Sequence, residues 1–224
     1  MPTSARYDGF VDWYEEFRPG LSDAETDVLE RYLGTGDGTC LDLGCGTGVA
    51  LPKLARLGWT VVGVDVSEAM LERARRRVAE AELVRAAADD LPFPDGSFDA
   101  VVSIWTHTDV DDFPAVVGEA ARVLRGDGPL VYVGAHPCFV GPHSRFIAAE
   151  GVPELHPGYR RTERYDDGPA IGPDGLRARV GATHLPLGPF LGAFLDAGFR
   201  IERFEELDAD DSRYPFRIAL SARR

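Results

Sequence analysis

With 224 residues, 44% of them hydrophobic, the chain is sized for one globular domain with a substantial core and for no second domain. The formal net charge of -13 argues against a nucleic-acid partner, since binding a phosphate backbone requires a basic stripe. No apolar run is long enough to span a bilayer and no charged-then-apolar leader opens the chain, so a cytoplasmic protein without a membrane partner is expected.

The first element in chain order is an aromatic helix over 5–18, where Phe10, Trp13, Tyr14 and Phe17 recur at helical spacing before Pro19 and Gly20 stop it. Ser22 and Glu25 have the spacing of a capping box ahead of a helix over 24–33, and residues 34–38 form the loop to the first strand. That strand, 40–43, is short and buried. It runs into a tight turn of Gly44, Gly46 and Gly48, then a helix over 49–57 whose N-terminus points at whatever the turn holds. A nicotinamide-binding G-x-G-x-x-G loop would place its third glycine at position 49, where this chain has Val49, and the Gly-Lys-Ser/Thr ending of a P-loop is missing. Asp42, two residues before the turn, would repel a pyrophosphate and attract an ammonium group.

The run Leu-Asp-Leu-Gly-Cys-Gly-Thr-Gly at 41–48 resembles the first motif of the class I S-adenosylmethionine-dependent methyltransferases. The resemblance implies that Gly44, Cys45, Gly46 and Gly48 lie against the methionine part of that cofactor, with Asp42 near its amino group. It also implies that the aromatic N-terminal helix closes over the cofactor, with Tyr7 or Tyr14 reaching it. Packing of that helix on the core is the plainer alternative.

Residues 60–65 read as a second buried strand ending in Asp65, 21 positions after Gly44, where a βαβ nucleotide site places a carboxylate on ribose hydroxyls. Ser67 caps the following helix, 68–81, whose Arg73, Arg75, Arg76 and Arg77 read as a solvated face. By the resemblance, Val66 and Met70 belong to the adenosine site. A third strand over 83–86 leads to Leu-Pro-Phe-Pro-Asp-Gly-Ser-Phe-Asp at 91–99, which again resembles the family. The acid that usually meets the adenine amino group falls at Ala87. Adenine recognition is therefore expected from backbone near Ala88, with Asp89 as a substitute acid.

The fourth strand, 98–104, carries Ser103, which resembles a position touching the methionine moiety. His107 follows in the strand-end loop as a candidate general base, the alternative being a histidine bound to a carboxylate such as Asp109. A helix over 113–124 and a strand over 129–135 bring His136 to the same edge as a second candidate. Residues 136–185 are dense in glycine and proline, with Arg160, Arg161 and Arg164 around Tyr159 and Tyr165. That is too long for a plain connection, and Phe139, Phe146, Leu155 and Ile171 can fold it down as an acceptor lid. Residues 177–185 read as extended and 186–197 as a helix capped by Gly198. Two alternating strands, 199–207 and 216–222, then flank the acidic loop 208–211.

The expected fold is a doubly wound, Rossmann-like α/β sheet of seven strands with an antiparallel last strand, an N-terminal helical lid and an insertion after strand 5. Its parts would be a cap (1–34), a cofactor core (39–135), an acceptor lid (136–185) and a closing helix with a strand pair (186–224). The resemblance implies methyl transfer from S-adenosyl-L-methionine, with S-adenosyl-L-homocysteine as product, to an O, N or C nucleophile of a small metabolite, by a monomer or homodimer. A cofactor-binding sensor or cyclase of the same fold is the alternative, and a nucleotide-dependent oxidoreductase is a weaker one. Cys40, Cys45 and Cys138 read as free thiols, and no CxxC or HxxxH pair predicts a metal.

Overall fold

A computed structural model of the chain describes residues 5–145, 154–168, 171, 175–207 and 214–224. Five strands run in parallel: β1 (Thr39–Leu43), β2 (Thr60–Asp65), β3 (Glu82–Arg85), β4 (Ala100–Ile104) and β5 (Pro129–Ala135). Two short antiparallel pairs, β6 (Ser144–Arg145) with β7 (Glu154–Leu155) and β8 (Arg164–Tyr165) with β9 (Ala182–Thr183), lie apart from this sheet. The sheet is completed by β10 (Arg200–Leu207) and β11 (Arg217–Arg223). Its order is β10-β11-β5-β4-β1-β2-β3, with β11 antiparallel to both neighbours, as expected. Chain direction out of the sheet centre reverses between β1 and β4, which opens a crevice at their C-terminal ends.

Period-2 alternation sorts the strand side chains into two cores. Leu41, Leu43, Val101, Leu130 and Tyr132 face α5 (Phe113–Val123) and α7 (Leu187–Asp196), where the Phe113 and Phe190 rings stack at 5.3 Å. Cys40, Val61, Ala100, Val102 and Val131 face α2 (Asp23–Val28), α3 (Leu51–Arg56) and α4 (Glu68–Ala74). Burying each large apolar side chain contributes about 1.5–3 kcal/mol. Asp42 shares the Cys40 face and is carried with it into the interior.

Several boundaries depart from the sequence expectation. The capping box forms, with Ser22 Oγ accepting the Glu25 N–H and Glu25 accepting the Ser22 N–H. The helix after it continues from α2 into a π-helical turn, Leu29–Leu33, closed by Gly34 N–H to Leu29 O. The helix expected from position 49 starts at Leu51, because Gly44, Gly46 and Gly48 all take positive φ and the chain needs further residues to turn back. Helix α4 stops at Ala74 where Arg76 and Arg77 form tighter i to i+3 bonds. Residues expected to be extended after Arg177 instead form α6 (Leu176–Val180), bounded by Gly175 and by Gly181 at φ 66°.

The N-terminal helix is α1 (Val11–Phe17), shorter than expected and preceded by a turn over 6–9. Two arginines of the run expected as a solvated face are engaged by the N-terminal segment. Arg73 pairs with Asp12 and Glu15, and Arg77 donates to Glu15 at 3.1 Å and to Pro19 O at 3.1 Å. From the insertion, Arg179 lies over the Trp13 ring at 5.1 Å. Phe146 and the acidic loop 208–211 lie outside the described residues.

Candidate active site

The glycine turn is shaped by what surrounds it. A Cβ on Gly44 would sit 2.9 Å from Thr106 Oγ1, and one on Gly48 would sit 2.8 Å from Leu51 and 2.9 Å from Ala74. Gly46 has nothing within 4 Å of that position and faces open space. The turn is fixed from β2, since Asp65 accepts the Gly46 N–H through Oδ2 and the Ser67 N–H through Oδ1, both at 2.9 Å. Burial pushes the Asp65 carboxyl up to about 6 against those backbone donors.

Two adjoining cavities meet at this turn. The larger, about 700 Å³ counted out to solvent, has Asp65, Val66, Met70 and Ala88 on one wall. The smaller, about 310 Å³, holds Asp42, Arg18, Cys45 and Thr47. Tyr14, Gly44, Gly46 and Ile104 border both, so one elongated ligand can occupy the two together. In the smaller cavity Asp42 Oδ2 is buried without a hydrogen-bond partner, and burial followed by the Asp65 charge pushes its carboxyl up to about 7. A buried acceptor without a donor favours a ligand that supplies one, and a carboxylate favours a cationic donor.

The loop after β4 forms the opposite wall. Trp105 at φ 66° starts a 3₁₀ turn, Thr106–Thr108, whose threefold period puts Thr106 and Asp109 on the cleft side and His107 on the other. Thr106 Oγ1 donates to Leu43 O at 3.1 Å and accepts from Ser103 Oγ at 2.7 Å. The Tyr7 hydroxyl hydrogen-bonds to Asp109, and Arg177 of α6 donates to Asp109 Oδ1 and Thr108 Oγ1, each at 2.8 Å. Tyr7 and Tyr14 pack edge to face at 5.0 Å, and burial pushes the Tyr14 phenol up to about 12, so both stay neutral at pH 7. Trp105 Nε1–H and Arg18 both donate to the buried Glu25, at 2.6 and 2.9 Å, tying this wall to the capping box.

Of the residues singled out in the sequence, Tyr14, Gly44, Gly46, Asp65, Val66, Met70 and Ala88 border the larger cavity, and Asp42 and Cys45 the smaller. Gly48 packs behind the turn, Ser103 lies beneath Thr106, and Asp89 is half-buried off the cleft wall. The two histidines are displaced from the expected place. His107 is 2% exposed among Phe113, Tyr132 and Phe190, shares a hydrogen bond with the Tyr132 hydroxyl, and is pushed down to about 3 by burial. It bonds neither Asp109 nor any group in the cleft. His136 is also 2% exposed, donating from Nε2 to Glu206 Oε1 at 2.7 Å and accepting the Cys138 N–H at 3.1 Å. Among the described residues no histidine or lysine lines either cavity. Arg6, Arg18, Thr106 and Arg177 also border or support the cleft without a local signal in the sequence, and Asp109, expected only as a partner of His107, borders it as well.

Comparisons with known proteins agree with this geometry. Residues 41–132 match the family described as a methyltransferase domain. Over 119 residues the chain is 39% identical to the demethylmenaquinone methyltransferase of Tropheryma whipplei, covering 51% of this chain and 50% of that protein. It is 35% identical over 140 residues to the fatty-acid O-methyltransferase of Mycolicibacterium smegmatis, covering 55% and 51%. The chain thus spans about half the length of the curated relatives it matches. A crystal structure of an S-adenosylmethionine-dependent methyltransferase from Mesorhizobium loti superposes with a TM-score of 0.72 at 26% identity, over 97% of this chain and 99% of that one. These matches agree with the resemblance carried by residues 41–48 and 91–99, and the strand order bears out the expected Rossmann-like sheet. No helix among the described residues is long and apolar enough to cross a membrane.

Proposed function

We propose that this chain, whose residues 41–132 carry the methyltransferase domain, transfers a methyl group from S-adenosyl-L-methionine to a small-molecule acceptor. The observation that carries the reading is the unpartnered Asp42 Oδ2 beside Arg18 in a cavity continuous with the Asp65 cleft. An acid and a base at one end match an amino-acid zwitterion, and the acid and apolar wall at the other match a nucleoside. When bound, the cofactor supplies an activated methyl: the acceptor's lone pair takes the carbon while the C–S electrons return to sulfur, leaving a neutral thioether.

The residues have distinct tasks in this reading. Asp42 holds the ammonium and Asp65 the ribose hydroxyls. Met70 and the backbone at Ala88 border the adenine, and Tyr7 and Tyr14 cover the centre from the cap. Residues 1–34 then act as the cap, 39–135 as the cofactor core, 136–185 as the acceptor lid and 186–224 as the closing unit, in a monomer or homodimer. Holding an acceptor in line accounts for up to about 7–11 kcal/mol of barrier reduction. The test is calorimetric titration with S-adenosylhomocysteine and, separately, with NAD. Binding of the first alone is expected; binding of NAD alone would replace the reading with a dinucleotide enzyme.

A further inference from the structure

From the larger cavity we infer that Arg6 is an acceptor-binding residue and that the acceptor presents an ionised oxygen, as in a carboxylic acid or an acidic phenol. The inference rests on the methyl-transfer reading above. The Arg6 side chain is 2% exposed and borders the cleft. Its Nη2 pairs with Asp111, a residue more than half exposed, while Nε and Nη1 are buried with no hydrogen-bond partner among the described residues. A guanidinium cannot shed its charge, so buried N–H donors left without acceptors are costly until a ligand supplies one.

The position of Arg6 favours the acceptor over the cofactor as that ligand. Arg6, Tyr7 and Asp109 border the larger cavity and not the smaller one that holds Asp42, so Arg6 does not line the amino-acid end. Adenosine carries no anion, and a sulfonium is itself a cation that Arg6 repels. The neighbouring Asp109 is already matched by Arg177 and Tyr7, which leaves the Arg6 Nε and Nη1 donors unmet on this wall. An oxyanion beside it supplies the missing acceptors, and the planar guanidinium donors suit its geometry.

The same chemistry accounts for the composition of the wall. An ionised oxygen already has its attacking lone pair, so transfer consumes its negative charge and releases no proton. Such an acceptor needs no general base, and the two carboxylates that border the cavity, Asp65 and Asp109, are already engaged by hydrogen bonds.

The test uses protein saturated with S-adenosylhomocysteine, titrated calorimetrically with matched pairs: octanoate and octanamide, 2-naphthoate and 2-naphthamide, 4-nitrophenol at pH 8.5 and 4-nitroanisole. At least one anion should bind about 10- to 100-fold more tightly than its neutral partner. Arg6→Gln should abolish that preference with S-adenosylhomocysteine affinity changed by less than about twofold, and Arg6→Lys should restore part of it. Which pair shows the preference separates carboxylate from phenolate. Equal binding within every pair overturns the inference, as does an Arg6→Gln protein that loses S-adenosylhomocysteine affinity while keeping the anion preference. A wild-type protein that does not bind S-adenosylhomocysteine overturns the cofactor reading itself, and the assignment of Arg6 with it.

Discussion

Asp65, at the end of β2, accepts the N–H of Gly46 at 2.9 Å, so the carboxylate facing the cleft also holds the glycine turn in place. Removing it therefore has two effects. Asp65→Ala should weaken S-adenosylhomocysteine binding by about 1.5–3 kcal/mol, the scale of a hydrogen bond to a charged group, and lower unfolding stability by about 1–2 kcal/mol. Calorimetry and urea unfolding measure the two separately. Unchanged affinity in a folded variant removes Asp65 from the ribose.

His107 should behave as a core residue. His107→Ala leaves the buried Tyr132 hydroxyl without its partner and a void among Phe113 and Phe190, costing about 2–4 kcal/mol. Turnover per folded molecule should be nearly unchanged. The sign of its pH effect follows from burial, which pushes His107 down to about 3 and His184 to about 4. Both stay neutral in the fold while the unfolded chain takes up protons below about 6.5, so stability is lost as pH falls from about 6.5 toward 3. A turnover defect in His107→Ala that exceeds its loss of folded protein would restore a catalytic role.

Asp42 pulls the other way. Its carboxyl is raised from 3.8 to about 7, so the ligand-free fold is favoured while the group is protonated and loses that advantage as pH rises through 7. Asp42→Asn should accordingly stabilise the ligand-free protein at pH 8, by at most about 4 kcal/mol, while weakening cofactor binding. Melting curves at pH 5 and 8 check this: the gain appears at pH 8 and shrinks at pH 5.

Helix α1, the proposed cap, is held by Arg73, Arg77 and Arg179 through ion pairs and a ring contact that are part-exposed. Pairs of that kind contribute about 0–1 kcal/mol each, so Arg77→Ala should speed S-adenosylhomocysteine release by about 2- to 5-fold, and added salt should do the same to the wild type. Stopped-flow release rates are the measurement, and a release rate indifferent to both changes would remove the cap from the exit path.

Much of this was readable in advance where local chemistry decides. The bounds of β2 and β5 coincide with the expected runs, because short runs rich in valine and other strand-favouring residues are set off by turn residues. The Ser22 and Glu25 box and the Ser67 cap formed because a hydroxyl at an N-cap has a partner within three residues. The buried positions of the histidines have a different origin. A strand-end loop fixes the edge a residue lies on but not its facing, and the left-handed Trp105 turned His107 inward. Arg6 and Arg177 gave no local signal because their roles depend on partners 105 and 68 positions away in sequence.

The central claim is that the unpartnered Asp42 carboxylate receives the amino group of S-adenosylmethionine. Titrating wild-type and Asp42→Asn proteins with S-adenosylhomocysteine and with its deaminated analogue tests it most directly. The account predicts that wild type prefers the amino compound by about 10- to 100-fold and that Asp42→Asn loses most of the preference. Equal affinity of the wild type for both compounds, or a preference that survives in Asp42→Asn, would contradict it.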